Sequence, residues 1–342
     1  MTVKAAQPDL SVKAVAQRSI YELADQVGVS ASTVSRVLNG RRGIGEETRN
    51  LVLRAARASG FRPRMAARSL TVAVVTDRNQ YAAFGGFISS LLSHIVQNLS
   101  RRDVAVKLVT EHSIKRLREK LVDGILAMAW DDSTITELRK MPKVPIVTLN
   151  RIEDDFSAVV TNHRSQGEQA VAYLHAHGHT KIAMICEERN NWGSLQRIAG
   201  FVDELKSRGL PVEPEAIVSM DHQPMYGVLR RLMAQWSPTA IYVAGEDLTL
   251  EVCYILRDVI GLKIGRDVSV IGMESARISQ FMAPPITTLC QPLEELARLS
   301  IEVLERQMEV DKPSPERVTL DCTVIERESV SNVRPTKEKL VV

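Results

Sequence analysis

Apolar positions recur along this chain in two different rhythms. Near the N-terminus the rhythm is helical. Ile20, Leu23, Ala24 and Val27 fall at i, i+3, i+4 and i+7, which lines one face of a helix. Ser19 followed three residues later by Glu22 forms a capping box at its start, and Gly28 supplies a residue tolerant of left-handed backbone at its end. Ser30 can cap a second helix whose Val34, Val37 and Leu38 point back at the first. Two short helices joined by a glycine-containing turn make a helix-turn-helix. After the turn Asn39-Gly40-Arg41-Arg42-Gly43, a third helix is expected from about Glu46 to Ser59. Acids occupy its first turn, Val52, Ala55 and Ala56 close a three-helix core, and Gly60 stops it. Pro63 can open a short fourth helix through Leu70.

From Thr71 the rhythm changes to short apolar runs separated by helical segments. The runs are Val72–Val75, Val104–Val109, Gly124–Ala129, Val144–Leu149, Lys181–Cys186, Ala240–Ala244 and Val268–Gly272. The main helical segments are Phe84–Leu99, Ser165–Ala176, Leu195–Arg208 and Leu293–Met308. This alternation predicts parallel sheets covered by helices, and the number of runs suits two α/β lobes.

The charge balance separates the same two regions. The net charge is only +3, yet residues 1–70 hold twelve Lys and Arg against five acids, leaving the remainder mildly acidic. A basic head on an acidic body points to a polyanion partner for the head. Residues 1–18 are polar and aperiodic and are expected to form a flexible leader, with the charged segment 331–342 as a tail. No apolar run is long enough to span a membrane and no signal-peptide core is present, so a cytoplasmic, nucleoid-associated protein is expected. Cys186, Cys253, Cys290 and Cys322 are isolated from one another, as reduced thiols in such a compartment would be.

On the second helix Ala31, Ser32, Ser35 and Arg36 face away from its apolar stripe. Small side chains let a helix enter a major groove closely, and an arginine can grip a guanine edge with two donors. Taken alone, the stretch fits an ordinary helical hairpin with a solvated face equally well.

The wider match decides between these. Ile20-Tyr21-Glu22-Leu23-Ala24, Val27-Gly28-Val29-Ser30 and Thr33-Val34-Ser35-Arg36-Val37-Leu38-Asn39 resemble the DNA-binding domain of the lac repressor (LacI/GalR) family of bacterial transcription regulators. Glu46-Glu47-Thr48-Arg49, Gly60-Phe61-Arg62-Pro63 and Ala67-Arg68-Ser69-Leu70 continue the resemblance in order, and it extends loosely over nearly the whole chain. It implies an α/β protein with an N-terminal all-α helix-turn-helix head and a two-lobed, periplasmic-binding-protein-like body with parallel sheets. The head would span 19–62, the hinge helix 63–70 and the body 71–330. Lobe 1 would take about 71–160 and 291–318, lobe 2 about 161–290 and 319–330, with crossings near Val160, Gln291 and Leu320.

The implied partners are an operator in double-stranded DNA, a second copy of the chain, and a small-molecule effector such as a sugar or derivative, with neither cofactor nor membrane. Operator contacts would come from Ser30, Ala31, Ser32, Thr33, Ser35, Arg36 and Asn39. In the hinge, Arg64, Ala67, Arg68 and Leu70 would join them, Leu70 as a wedge in the minor groove. Here the sequence departs from the family, because no linker separates Leu70 from the first strand.

Ligands of open parallel sheets bind beyond the carboxyl ends of the strands. That rule nominates Asn150 with Arg151, Asn162, His163, Asp247 and Glu274, while Arg197 occupies the family's effector-arginine position and Trp192 completes the set. Several neighbours are off-pattern: Asn162-His163 stands where the family has Asp-Asn, Glu246-Asp247 where it has Asn-Asp, and Glu274 where it has Asp.

Other chemistry is weakly represented. His175, His177 and His179 would need an extended strand to converge on a metal, but they close a helix. Nucleophile elbow, P-loop and dinucleotide fingerprint are all missing from the sequence, so no enzyme is expected. Asp131-Asp132 and Asp154-Asp155 suit caps and solvated loops. The alternatives are a DNA-binding protein with an unliganded body and, further off, a sugar- or nucleoside-processing α/β enzyme with a fused helical domain.

Overall fold

The computed structural model describes residues 20–38, 44–58, 70–77, 86–117, 122–141, 144–186, 188–189, 191–219, 224–274, 278–310 and 313–333. The expected leader, Ser19, the turn with Asn39, and the hinge residues Arg64, Ala67 and Arg68 lie outside them, as do the tail beyond Val333 and the side chains of Ala31, Ser32 and Ser35. The chain divides into two compact units, Met1–Ser69 and Leu70–Val342.

In the first unit α1 (Ile20–Val27), α2 (Ala31–Leu38) and α3 (Glu46–Ala58) close on one small core. Leu23, Ala24, Val34, Val37, Val52 and Ala56 are its buried members, and Ala55 packs at its edge. Gly28 ends α1 with φ +68, the left-handed turn that its lack of a Cβ permits. Ser30 caps α2, its hydroxyl accepting from the Thr33 amide at 3.1 Å and pairing with the Thr33 hydroxyl at 2.8 Å. Arg36 is exposed on the face of α2 opposite buried Val34.

The second unit contains two six-stranded sheets. Sheet 1 runs in the order β2 (Ala105–Thr110), β1 (Thr71–Thr76), β3 (Gly124–Met128), β4 (Ile146–Thr148), β5 (Ser157–Thr161), β11 (Arg317–Leu320), and every pairing is parallel. Sheet 2 runs β7 (Ile217–Ser219), β6 (Ile182–Cys186), β8 (Ala240–Ala244), β9 (Ser269–Met273), β10 (Thr287–Cys290), β12 (Thr323–Ile325), with only β12 antiparallel to its neighbour. The chain passes between sheets after Thr161, Cys290 and Leu320, so β11 carries sheet 1 two residues beyond 318.

The central strands are buried throughout, which explains why they read as continuous apolar runs. Sheet 1 is covered by α4 (Phe87–Arg101), α6 (Asp132–Arg139) and α11 (Leu293–Glu309), with the four-residue α5 (Ile114–Leu117) in the connection after β2. Gly124 admits α11, since a Cβ there would lie 2.8 Å from Leu304. Sheet 2 is covered by α7 (His163–Ala176), α8 (Trp192–Ser207), α9 (Met225–Gln235) and α10 (Glu246–Tyr254).

Leu70 is already part of this unit. Its carbonyl accepts from the Ala105 amide at 2.7 Å, and the next amide, Thr71, donates to the Asp123 carboxylate at 2.7 Å. The sheet therefore begins where the sequence omits a linker. The Leu70 side chain is about half exposed.

A candidate effector cavity between the two lobes

Two glycines set the geometry of the lobe 2 wall. Gly167 on α7 and Gly200 on α8 face each other so closely that a Cβ on the first would overlap the Arg197 carbonyl and one on the second the Arg164 carbonyl. Backbone-to-backbone contact brings the side chains one turn away into reach of one another. Arg197 Nε donates to Gln166 Oε1 at 2.6 Å, and His163 Nδ1 lies 3.3 Å from the same oxygen. The other end of the Gln166 amide donates to Cys322 Sγ at 3.0 Å, which fixes its orientation. Burial first, and then the Arg197 charge, hold His163 well below the usual imidazole range, so it is neutral. With its Nδ1 proton given to Gln166, its Nε2 is left as an acceptor. Trp192 meets the His163 ring edge-on with centroids 5.6 Å apart. Gly193 leaves the floor open, since a Cβ there would stand 3.3 Å from the imidazole and 3.5 Å from an Arg197 Nη.

Lobe 1 supplies a wall of a different kind. Asp77, buried just after β1, accepts from the amides of Trp130 and Asp131 at 2.9–3.1 Å. Asn150, just after β4, both donates to and accepts from the Ala129 backbone at 2.9 Å. These bonds lock the strand ends and hold Trp130, which meets Phe87 edge-on with centroids 6.3 Å apart.

Between the walls lies a cavity of about 110 Å³ lined by Phe87, Trp130, Asn150, His163, Arg197, Glu246, Asp247 and Gln291, among others. Gln291 sits at the second crossing, its amide donating to Glu246 at 2.9 Å while its own Oε1 is buried without a partner among the described residues. A wider groove of about 1050 Å³ shares Phe87, Glu246 and Gln291 and opens away toward Glu274 and Arg327.

The nominated residues thus divide. His163, Arg197 and Asp247 line the cavity and Trp192 supports it. Three others are committed elsewhere. Arg151 binds Glu153 at 2.6 Å, Asp132 at 3.0 Å and the Trp130 carbonyl at 3.2 Å. Asn162 caps α7 through the Ser165 amide and holds Asp321 at 2.8 Å. Glu274 pairs with Arg327 at 2.8 Å and accepts from Thr288, in the wider groove. In each case a strand-end position is spent on tying neighbouring chain segments. Asn150, which the same rule names, lines the cavity but spends its amide on the Ala129 backbone. Gln166 and Gln291 were not nominated. Gln291 directly follows β10, so the strand-end rule could have found it, whereas Gln166 acts through a helix turn that leaves no pattern.

Two of the three histidines in the run have local partners, and the His175 Nδ1 is buried without one among the described residues. His177 Nδ1 lies 2.9 Å from the Tyr173 carbonyl, and His179 bridges Thr239 and Ser331 at 3.0 Å each. No cluster of metal-ligating side chains occurs among the described residues.

Residues 19–64 match the family described as bacterial regulatory proteins, lacI family, and residues 171–330 match a periplasmic binding protein-like domain. The chain thus joins a lacI-family helix-turn-helix domain to a periplasmic binding protein-like domain, and the relatives it resembles are transcription regulators, not enzymes. The HTH-type transcriptional repressor PurR of Pectobacterium carotovorum is 27% identical over 92% of this chain and 97% of its own. The PurR of Haemophilus influenzae is 28% identical over 92% and 99%. Among solved structures, a transcriptional regulator CelR–cellobiose complex superposes with a TM-score of 0.68 at 25% identity, covering 91% of this chain and 99% of that one. The lac repressor dimer bound to operator and the anti-inducer ONPF superposes at 0.66 and 22% identity, covering 92% and 99%. No helix among the described residues is long and apolar enough to cross a membrane.

Proposed function

We propose that the chain is a lac repressor family regulator that binds a palindromic operator as a homodimer in the cytoplasm, and that a small ligand in the 110 Å³ cavity sets its operator affinity. The observation carrying this reading is the pairing of Arg197 and His163 on one lobe with Trp130 and Phe87 on the other around one cavity. A ligand bridging both lobes favours one lobe arrangement over another, and only such unequal affinity can change DNA binding, typically by 5–150-fold. The cavity is smaller than the ~150 Å³ that holds one benzene ring in an engineered core, so a single-ring ligand fits it better than a disaccharide. The CelR complex supports a sugar-like ligand through the cellobiose that it carries.

On the DNA side the capped α2 presents Arg36 to solvent, flanked by Ser30, Thr33 and the positions of Ala31, Ser32 and Ser35. Arg36 would read a base edge, with Asn39, Arg64, Ala67, Arg68 and Leu70 completing the operator contacts. For the dimer, exposed apolar side chains on the body (Val96 and Leu108 on lobe 1, Tyr254, Val259 and Phe281 on lobe 2) supply surface of the right character.

Fluorescence anisotropy on an operator selected from a random library tests the reading, with and without ligands that raise the melting temperature. Arg36→Ala should cost about 1–3 kcal/mol at one base pair of each half-site. Uniform weakening at every sequence would make Arg36 a phosphate contact, and a monomer by light scattering would remove the dimer.

A further inference from the structure

Arg197 and His163 converge on the empty space beside Gly193. A Cβ built on Gly193 would stand 3.3 Å from the His163 Nε2 and 3.5 Å from the Arg197 Nη1, and all three residues line the cavity. Neither nitrogen hydrogen-bonds a described residue, and neither is among the unpartnered side-chain atoms sealed from solvent, so both open on the cavity. Their hydrogen-bonding senses are opposite and fixed. Arg197 has only donors, so the Gln166 atom that takes its Nε at 2.6 Å is the carbonyl oxygen. The His163 Nδ1 facing the same oxygen at 3.3 Å then carries the ring proton. The Gln166 nitrogen, turned the other way, is spent on Cys322 Sγ at 3.0 Å, which holds the amide against flipping. His163 is buried beside a guanidinium, with no carboxylate among the described residues acting on it, so the ring stays neutral and its Nε2 an acceptor.

From this we infer that the space beside Gly193 is a hydroxyl subsite: one hydroxyl of a single-ring effector accepts from Arg197 and donates to His163, and Gly193 is the specificity residue that keeps room for it. The inference rests on the cavity being the effector site. A hydroxyl both accepts and donates at a single oxygen, which answers a donor and an acceptor facing one small space. A carboxylate there would satisfy Arg197 but turn lone pairs toward the His163 lone pair. An ammonium would satisfy His163 but turn protons toward the guanidinium. Either ion leaves one of the two protein groups unpaired, and a site built around a substrate hydroxyl discriminates most strongly against groups that do so. Trp192, edge-on to the imidazole with centroids 5.6 Å apart, holds the ring in place for this contact.

Nitrogen-15 NMR of the histidine rings in the full chain reads the tautomer directly, with the His163 resonances assigned by their loss in His163→Gln. At pH 7 without ligand the ring should be neutral and protonated on Nδ1; an imidazolium, or a proton on Nε2, overturns the subsite. Thermal shift and calorimetry then use glucose, galactose and mannose, their monodeoxy twins and their hexuronates. One or more hexoses should stabilise the protein, and one deoxy twin of that hexose should bind at least about tenfold more weakly, a difference near 1.4 kcal/mol. Gly193→Ala, which fills the space, should weaken the hexose and erase its advantage over that twin. Alanine suits a helix better than glycine, so the unliganded melting temperature of Gly193→Ala should hold or rise, which is the control for folding. A hexuronate that outbinds its hexose and loses that advantage in Gly193→Ala puts a carboxylate beside Gly193; it overturns the hydroxyl subsite and leaves the cavity as effector site. So does a hexose whose deoxy twins all bind as tightly as it does. A response that survives both Gly193→Ala and Arg197→Ala, or no response to any probe, overturns the subsite and counts against the cavity reading as well.

Discussion

The two walls of the cavity are built from similar α/β lobes, yet they divide the work unequally. On lobe 1 most polar groups at the strand ends tie backbone together: Asp77 holds two amides, Asn150 satisfies the Ala129 backbone in both directions, and Arg151 is shared among Asp132, Glu153 and the Trp130 carbonyl, with only its Nε and the Thr161 hydroxyl buried without a partner among these groups. On lobe 2 capacity remains, in the Arg197 guanidinium, the His163 Nε2 and the Asp247 carboxylate. One wall gives shape and the other gives chemistry. Substitutions on lobe 1 should therefore be read mainly in stability, and those on lobe 2 mainly in ligand response.

The sharpest way to break the contrast is to wedge α7 from α8. Gly200→Leu must push against the Arg164 carbonyl, so a loss on the order of 3 kcal/mol or more is expected in urea unfolding, with ligand response lost as Arg197 shifts. An unchanged midpoint would mean that the helices part easily. Next in size is Arg197→Ala. It should remove the ligand-dependent stabilisation, about 2.7 kcal/mol at a hundred times the dissociation constant, while the unliganded melting temperature holds. A variant that still responds fully at the same ligand concentrations takes Arg197 out of the site. Asp77→Ala is the lobe 1 counterpart. Leaving the Trp130 and Asp131 amides without their acceptor should cost about 1–3 kcal/mol in unfolding while the order of preference among ligands is kept. Altered preference would show that lobe 1 also selects.

The smallest expected effect is in pH. His163 is neutral in the fold because its proton affinity is lowered by burial and by Arg197, and it regains ordinary affinity on unfolding. The unfolded chain therefore binds more protons, and stability falls as pH drops below the ordinary imidazole value of about 6.5, by at most about 1.4 kcal/mol per unit for this group. His179 is depressed in the same direction, chiefly by burial, and adds its own share. Unfolding at pH 7.5 and 5.5 should show a smaller drop for His163→Gln than for wild type. Equal drops would place the titration elsewhere.

How much of this could be read in the sequence depended on whether a position follows a period. The head's helices were legible because capping and spacing coincide, at Ser30 and at Gly28 with its φ of +68. The central strands were legible because burial on both faces makes them uniformly apolar. The strands β5, β7, β10, β11 and β12 were not, because three to five residues mixed with Thr and Ser carry too little pattern. At the site, strand ends pointed toward His163 and Asp247 but equally toward Asn162 and Arg151. The rule finds the end of a strand and cannot tell a side chain that holds the chain from one that faces the cavity. Gln166 depends on two helices touching through glycine, a relation between residues 31 positions apart that no local window contains.

That glycine contact also bears on how such a regulator changes its ligand over generations. Positions 167 and 200 have almost no freedom to vary, so the bearing of Arg197 on Gln166 is inherited with the fold itself. Glu246, Asp247 and Gln291 stand on the first turn of α10 and at a crossing, where side chains can be exchanged without moving a backbone. Selection for a new signal molecule has its raw material there. A lineage can rewrite what it senses at one end of the cavity while the grip at the other end stays constant.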